Sequence, residues 1–252
     1  MGLIEFYRKT LLIVGLPEVL FTMQRISEIT DISLRQRWLD YLARPDPKDT
    51  SAVKILYYGH SFVGHFQDYL ASLPLYMNNF GLQPYEGIVY YKSVSGATVD
   101  RLVKKSNLNK INKMNAEVVV LEVGTNDLAK EEKSAKEVCE QVINLTREIL
   151  DCRVREVIIS QVVLRGDEGL KKACSDFTDK VYAYNHMVEG ALSFLPRASF
   201  WHHHNIWRNI EDHVEDGTHL NDLGHKKLYR SLKGAVQSTV TRIRPAWVRY
   251  DY

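Results

Sequence analysis

The sequence predicts an α/β protein, a three-layer α/β/α sandwich around a mainly parallel five-stranded sheet, preceded by an N-terminal helical extension. Three observations lead there. Short apolar runs rich in valine, isoleucine and tyrosine recur from residue 53 to residue 203. Stretches with apolar residues at helical spacing separate them. The runs are near-continuous rather than alternating, the pattern of strands covered by helices on both faces.

Each element follows in order. Residues 1 to about 44 read as helical: Pro17 suits a first helical position, ahead of Leu20, Phe21 and Ile26. A second helix starts near Ser33, with Leu34, Trp38 and Leu42 on one side. It stops at "RPDPKDTS", where Pro45 and Pro47 forbid continuation, so the helical extension covers residues 1–50 and the α/β domain residues 51–252. "VKILYY" (Val53 to Tyr58) is the first strand, followed by a helix with Phe62, Phe66, Tyr69, Leu70 and Leu73 on one face. "GIVYYKSVSG", ending at Gly96, is the second strand, and "EVVVLEVG", Glu117 to Gly124, the third. A helix carrying Ala135, Val138, Val142, Leu145 and Ile149 precedes the fourth strand, "EVIISQVVL". The next helix carries Phe177, Val181, Tyr184, Val188, Ala191 and Leu195, and "ASFWHH" is a short fifth strand. The last helix runs from about Leu220 through Leu223, Leu228, Leu232, Val236 and Val240. The loops Pro74 to Gly87 and Arg165 to Ser175 carry no readable motif, and there is no internal repeat.

Composition narrows the function classes. A chain of 252 residues can bury roughly three-quarters of its unfolded surface and needs no covalent staple. A formal charge of +2, with balanced charges in residues 1–44, is far from a nucleic-acid binder, since binding phosphates needs clustered Lys and Arg. Three cysteines without a CxxC pairing suit a reducing compartment. The N-terminal apolar run is short, with Glu5 before it and Pro17-Glu18 interrupting it, so neither a signal peptide nor a membrane span is expected. The expected location is the cytoplasm. Nothing in the sequence points to an oligomeric state.

In an open parallel sheet, chemistry gathers where strands end at their carboxyl edge. "GHS" ends the first strand, "SVSGAT" the second and "GTND" the third, and "DGTH" precedes the last helix. Ser61 is a candidate nucleophile, although serine at a helix start equally serves as an N-cap. Asp216 and His219, three apart around Gly217, can form a carboxylate–imidazole pair that fixes one tautomer. Asn126 can donate an amide hydrogen to a developing oxyanion, and Gly96 lets a backbone N–H approach the same point. Each segment alone also has an ordinary reading: Gly124 as a turn, Asn126 or Asp127 as a cap, Gly96 as a hinge.

In the order Ser, Gly, Gly-x-Asn, Asp-x-x-His, the four segments resemble the blocks of the SGNH hydrolases, the GDSL-type esterase/lipase superfamily. The resemblance spans about Ala52 to Val240, with "GTND" and "DGTHLNDLGH" its specific matches and "SGAT" a weaker one. It implies an SGNH/flavodoxin-like fold and a serine esterase acting on a small-molecule carboxyl ester without cofactor or metal. It also implies roles: Ser61 as nucleophile, His219 as base, Asp216 as the carboxylate that orients it, and the Ser61 N–H, Gly96 N–H and Asn126 side chain as the oxyanion hole. One departure stands out. The first block is usually Gly-Asp-Ser-Leu and here reads Gly59-His60-Ser61-Phe62, which replaces an acidic hydrogen-bond acceptor with an imidazole. That departure keeps open an inactive SGNH-fold binding or interaction module.

The remaining histidines read differently. His202, His203 and His204 are consecutive on a strand, so their side chains cannot all converge on a metal. They and Trp201 and Trp207 are candidates to line the pocket mouth. His65 reads as a solvated helix residue one turn beyond Ser61. His60 is adjacent to Ser61, but neighbouring side chains at a strand end diverge, which makes His219 the better partner.

Overall fold

Five apolar runs pair side by side into one sheet, and the amphipathic stretches cover its two faces. The computed structural model describes residues 52–243 except Pro74, Pro84, Tyr85, Asn205, Trp207, Arg208 and Asn209. The helical extension expected over residues 1–50, and its boundary, lie outside the described residues.

The strands are β1 (Val53–Gly59), β2 (Gly87–Ser93), β3 (Val118–Glu122), β4 (Glu156–Ser160) and β5 (Ala198–Trp201). They lie in the order β2-β1-β3-β4-β5, and every pairing is parallel. From β1 the chain steps to β2 on one side and then returns to β3 on the other. The β1–β3 boundary is therefore the topological switch point, where such sheets open a crevice at their carboxyl edge.

Alternate residues of each strand feed two cores. On one face Ile55, Tyr57, Val118, Val120 and Ile158 pack against α1 (Ser61–Ala71) and the last helix, through Phe62, Phe66, Leu70, Leu228, Leu232 and Val236. On the other, Leu56, Tyr58, Val119, Leu121, Val157 and Ile159 pack against Val138, Val142, Leu145, Phe177, Val181 and Tyr184. The intervening helices are α2 (Val99–Leu102), α3 (Lys105–Met114), α4 (Thr125–Leu128), α5 (Ala135–Asp151), α6 (Asp167–Leu170) and α7 (Phe177–Leu192), with α8 (Asp222–Ile243) last. Ser134 and Glu137 start α5 with a reciprocal capping box. No helix among the described residues is long and apolar enough to cross a membrane.

Several strands stop sooner than their apolar runs. β4 ends at Ser160 because side chains then take over the pairing: Asn185 accepts from the Val162 N–H at 3.0 Å and donates to the Val162 carbonyl at 2.9 Å. β2 ends at Ser93, after which the Val94 N–H turns inward to the Gly59 carbonyl at 2.8 Å. The helix α3 has no counterpart in the sequence pattern, because its Lys- and Asn-rich stretch buries only Ile111 fully.

At the end of β1 the backbone runs hard against β3. A Cβ built on Gly59 would lie 2.0 Å from the Glu122 carbonyl oxygen. Only glycine lets the two strand ends close here. Gly59→Ala is expected to force these strands apart and lower unfolding stability by about 1–3 kcal/mol, the usual cost of overpacking, measurable by urea denaturation.

Candidate active site

β1 delivers its chain to the crevice through a turn held on three sides. The His60 N–H donates to the Glu122 carbonyl at 3.2 Å, and the His60 carbonyl accepts from the Ser93 hydroxyl at 2.9 Å. The His60 ring is the N-cap of α1: its Nδ1 accepts from the Phe62 N–H at 3.3 Å. His60, not Ser61, therefore caps the helix, and Ser61 is left as its first residue. An accepting Nδ1 leaves the ring proton on Nε2. His60 is buried, and burial, followed by the His219 and Arg165 charges, lowers its pKa to about 3. The ring stays neutral near neutral pH. The acceptor role expected of an acidic residue at this position is thus filled by imidazole.

The Ser61 hydroxyl instead faces the far end of the chain, with Oγ 3.0 Å from Nε2 of His219. The other ring nitrogen of His219, Nδ1, is 2.8 Å from Oδ2 of Asp216. An ionised carboxylate can only accept, so Nδ1 carries the proton and Nε2 is free to accept from Ser61. Oδ1 of Asp216 accepts from the N–H groups of Thr218 (2.9 Å) and His219 (2.7 Å). Partial burial works to raise the Asp216 pKa. The hydrogen bonds from the His219 backbone, its ring and the Thr218 N–H outweigh it and hold the carboxyl well below the usual carboxylate range.

The loop carrying this pair closes on itself. Val214 bridges Leu220, the Glu215 N–H donates to the His219 carbonyl at 2.8 Å, and Asn221 accepts from the Gly224 N–H as α8 begins. Gly217 has φ +77°, which its lack of a Cβ allows. Its carbonyl accepts from the Gly166 N–H at 2.8 Å, and a Cβ on Gly169 would sit 2.0 Å from it. Gly169 lies in α6, within a stretch whose sequence carries no motif, and its role emerges only when that stretch meets the Asp216 turn.

The two other segments are tied together. Asn126 donates through Nδ2 to the Ala97 carbonyl at 3.0 Å, leaving the second amide hydrogen available. Buried Asp127 accepts from the Val99 N–H at 3.1 and 3.3 Å, so it caps the neighbouring α2 rather than its own helix. Burial pushes its carboxyl up to about 6, against that backbone bond. Gly96 has φ +62°, and nothing lies within 4 Å of where its Cβ would be. The N–H groups of Ser61 and Gly96 donate to no other described residue.

The histidine run diverges. His203 is buried with Nδ1 3.0 Å from the Ser231 hydroxyl of α8, whereas Nε2 of His202 is 2.9 Å from Glu189 of α7. These two rings turn to opposite helix layers. Trp201 donates to the same Ser231 hydroxyl at 3.0 Å, and Trp207 lies outside the described residues. Among the described residues no group of three or more His, Cys, Asp or Glu could hold a metal. Cys139, Cys152 and Cys174 are free thiols. His65 is exposed as expected, but its ring stacks on that of His219, a contact that no spacing in the chain foretells.

No family model and no curated protein matches the chain. Solved structures do. A GDSL-like lipase from Bacteroides thetaiotaomicron is 15% identical, with TM-score 0.57 over 82% of this chain and 98% of its own. An acetyl-xylooligosaccharide esterase from Geobacillus, solved as a mutant, is 19% identical with TM-score 0.56, over 81% of this chain and 100% of its own. A carbohydrate esterase family 3 structure from Talaromyces cellulolyticus is 13% identical with TM-score 0.55, over 76% of this chain and 100% of its own. The likeness establishes the SGNH/flavodoxin-like α/β fold.

Beside the turn at His60 and Ser61 lies a buried acid. Glu122 accepts from the Tyr57 hydroxyl at 3.0 Å. Burial pushes its carboxyl up to about 7, against the favourable hydroxyls of Tyr57 and Ser160. The folded protein therefore holds this proton more tightly than the unfolded chain does. Its contribution to stability is full below about 4.5 and is lost as pH rises through about 7. Urea unfolding of wild type against Glu122→Gln should show the wild type losing stability relative to the variant between those pH values.

Proposed function

We propose that this protein, with its SGNH-type fold, is a serine esterase that hydrolyses a carboxyl ester with a short acyl or acetyl group through an acyl-enzyme. The observation that carries the reading is the unbroken chain from Ser61 Oγ to His219 Nε2 at 3.0 Å and from His219 Nδ1 to Asp216 Oδ2 at 2.8 Å. A serine hydroxyl needs such a base to attack at neutral pH.

The steps follow from these atoms. Ser61 Oγ adds to the ester carbonyl carbon while its proton passes to His219 Nε2. Asp216 steadies the imidazolium through Nδ1. The negative charge moves to the former carbonyl oxygen, where the Ser61 N–H, the Gly96 N–H and the free amide hydrogen of Asn126 donate to it. Collapse expels the alcohol, which takes the proton from Nε2. Water then attacks the acyl-serine, with His219 again accepting and returning a proton. The acid leaves and Ser61 is regenerated.

The acetyl end is favoured because one similar structure is named as an acetyl-xylooligosaccharide esterase. A reducing, cytoplasmic setting suits the three free thiols. The binding-module alternative draws its support from His60 and from the weaker match at the Gly96 segment. The capping bond from Phe62 to the His60 ring weakens that support, since the turn keeps its acceptor.

Purified wild type is expected to label with a fluorophosphonate probe and to hydrolyse p-nitrophenyl acetate. Ser61→Ala should abolish both, and His219→Asn should slow them at least about a thousandfold, with folding intact by circular dichroism. Undiminished turnover by Ser61→Ala would refute the triad; a folded wild type that never labels would favour the binding module. Asn126→Ala is expected to lower kcat about a hundred- to a thousandfold, read from the same assay.

A further inference from the structure

The helix that begins with Ser61 also touches the base. One turn after Ser61, the His65 ring lies flat on the His219 ring, with centroids 4.2 Å apart and planes within 28°. Phe62 adds a tilted contact at 5.9 Å. His65 itself is exposed, so a polar ring suits its outer side.

Two hydrogen bonds hold the His219 imidazole, one at each nitrogen. The ring's own soft motion is rotation about its Cβ–Cγ bond, which swings both nitrogens away from their partners. The two hydrogen bonds resist that swing, and a surface laid on the ring face adds to the resistance. An imidazole torsion is broad, so a histidine with an uncovered face drifts readily. Catalytic groups lose efficiency when displaced by a fraction of an ångström or by about ten to twenty degrees.

We propose that His65 is a positioning residue for the His219 base, a wall that α1 carries so that nucleophile and base move as one rigid unit. This rests on the reading of Ser61 and His219 as nucleophile and base. His65 exchanges no proton with the substrate. It acts by keeping Nε2 of His219 aimed at Ser61 Oγ as charge develops, so its effect falls on kcat.

The test compares wild type, His65→Ala, His65→Phe and Ser61→Ala by steady-state hydrolysis of p-nitrophenyl acetate, fluorophosphonate labelling rate and thermal melting. Because His65 is exposed, both His65 variants should melt close to wild type. His65→Ala should lower kcat and labelling rate about tenfold, with KM changed by less than about twofold. His65→Phe, which keeps a flat face but cannot titrate, should recover most of that loss. Wild-type kcat in His65→Ala, or no recovery in His65→Phe, overturns the proposal. If Ser61→Ala keeps its activity, or wild type has none, the esterase reading itself falls, and the role of His65 with it. An inert Ser61→Ala beside a His65→Ala as fast as wild type removes His65 alone.

Discussion

The geometry of the crevice depends on one close approach: the end of β1 passing the end of β3 with no side chain between them. Gly59 makes that passage possible, and the hydrogen bond from the His60 N–H to the Glu122 carbonyl locks it. Everything beyond β1 inherits its direction from this contact. The turn at His60, the start of α1 and the aim of the Ser61 hydroxyl follow immediately. A wider gap would swing the whole first turn of α1 away from His219.

From that fixed point the other loops are braced against one another rather than against the sheet alone. Asn126 holds the Ala97 carbonyl and Asp127 the Val99 N–H, so the loops after β2 and β3 form one unit. Gly169 and Gly217 bring the loop after β4 against the turn that carries Asp216 and His219. Each brace joins residues distant in sequence. The precision that the proposed proton transfer needs is therefore spread over several loops, each of modest rigidity.

Much of this is readable in the chain itself, and the reason is physical. Strands buried on both faces must be apolar throughout, so β1, β3 and β4 announce themselves, and the positions just past them are where function collects. The Asp216–His219 pair is local, three residues apart, and local geometry is what sequence spacing encodes. Strand ends escape this logic where a distant side chain intervenes, as Asn185 does at Val162. His65 and Gly169 are silent for the same reason: each matters through a neighbour far away in the chain. His60 is visible as an irregularity, but its part in capping α1 depends on ring orientation, which adjacency does not reveal.

The exchange of an acid for a ring at position 60 also changes the electric field around the nucleophile. A carboxylate there would set a fixed negative charge one residue from the place where, in the proposed reaction, a substrate oxygen turns negative. The buried, neutral His60 removes that opposing charge from a region where little water screens it. The donors around the oxygen then work without a further anion at this turn. The crevice is also less hostile to a substrate that is itself negatively charged.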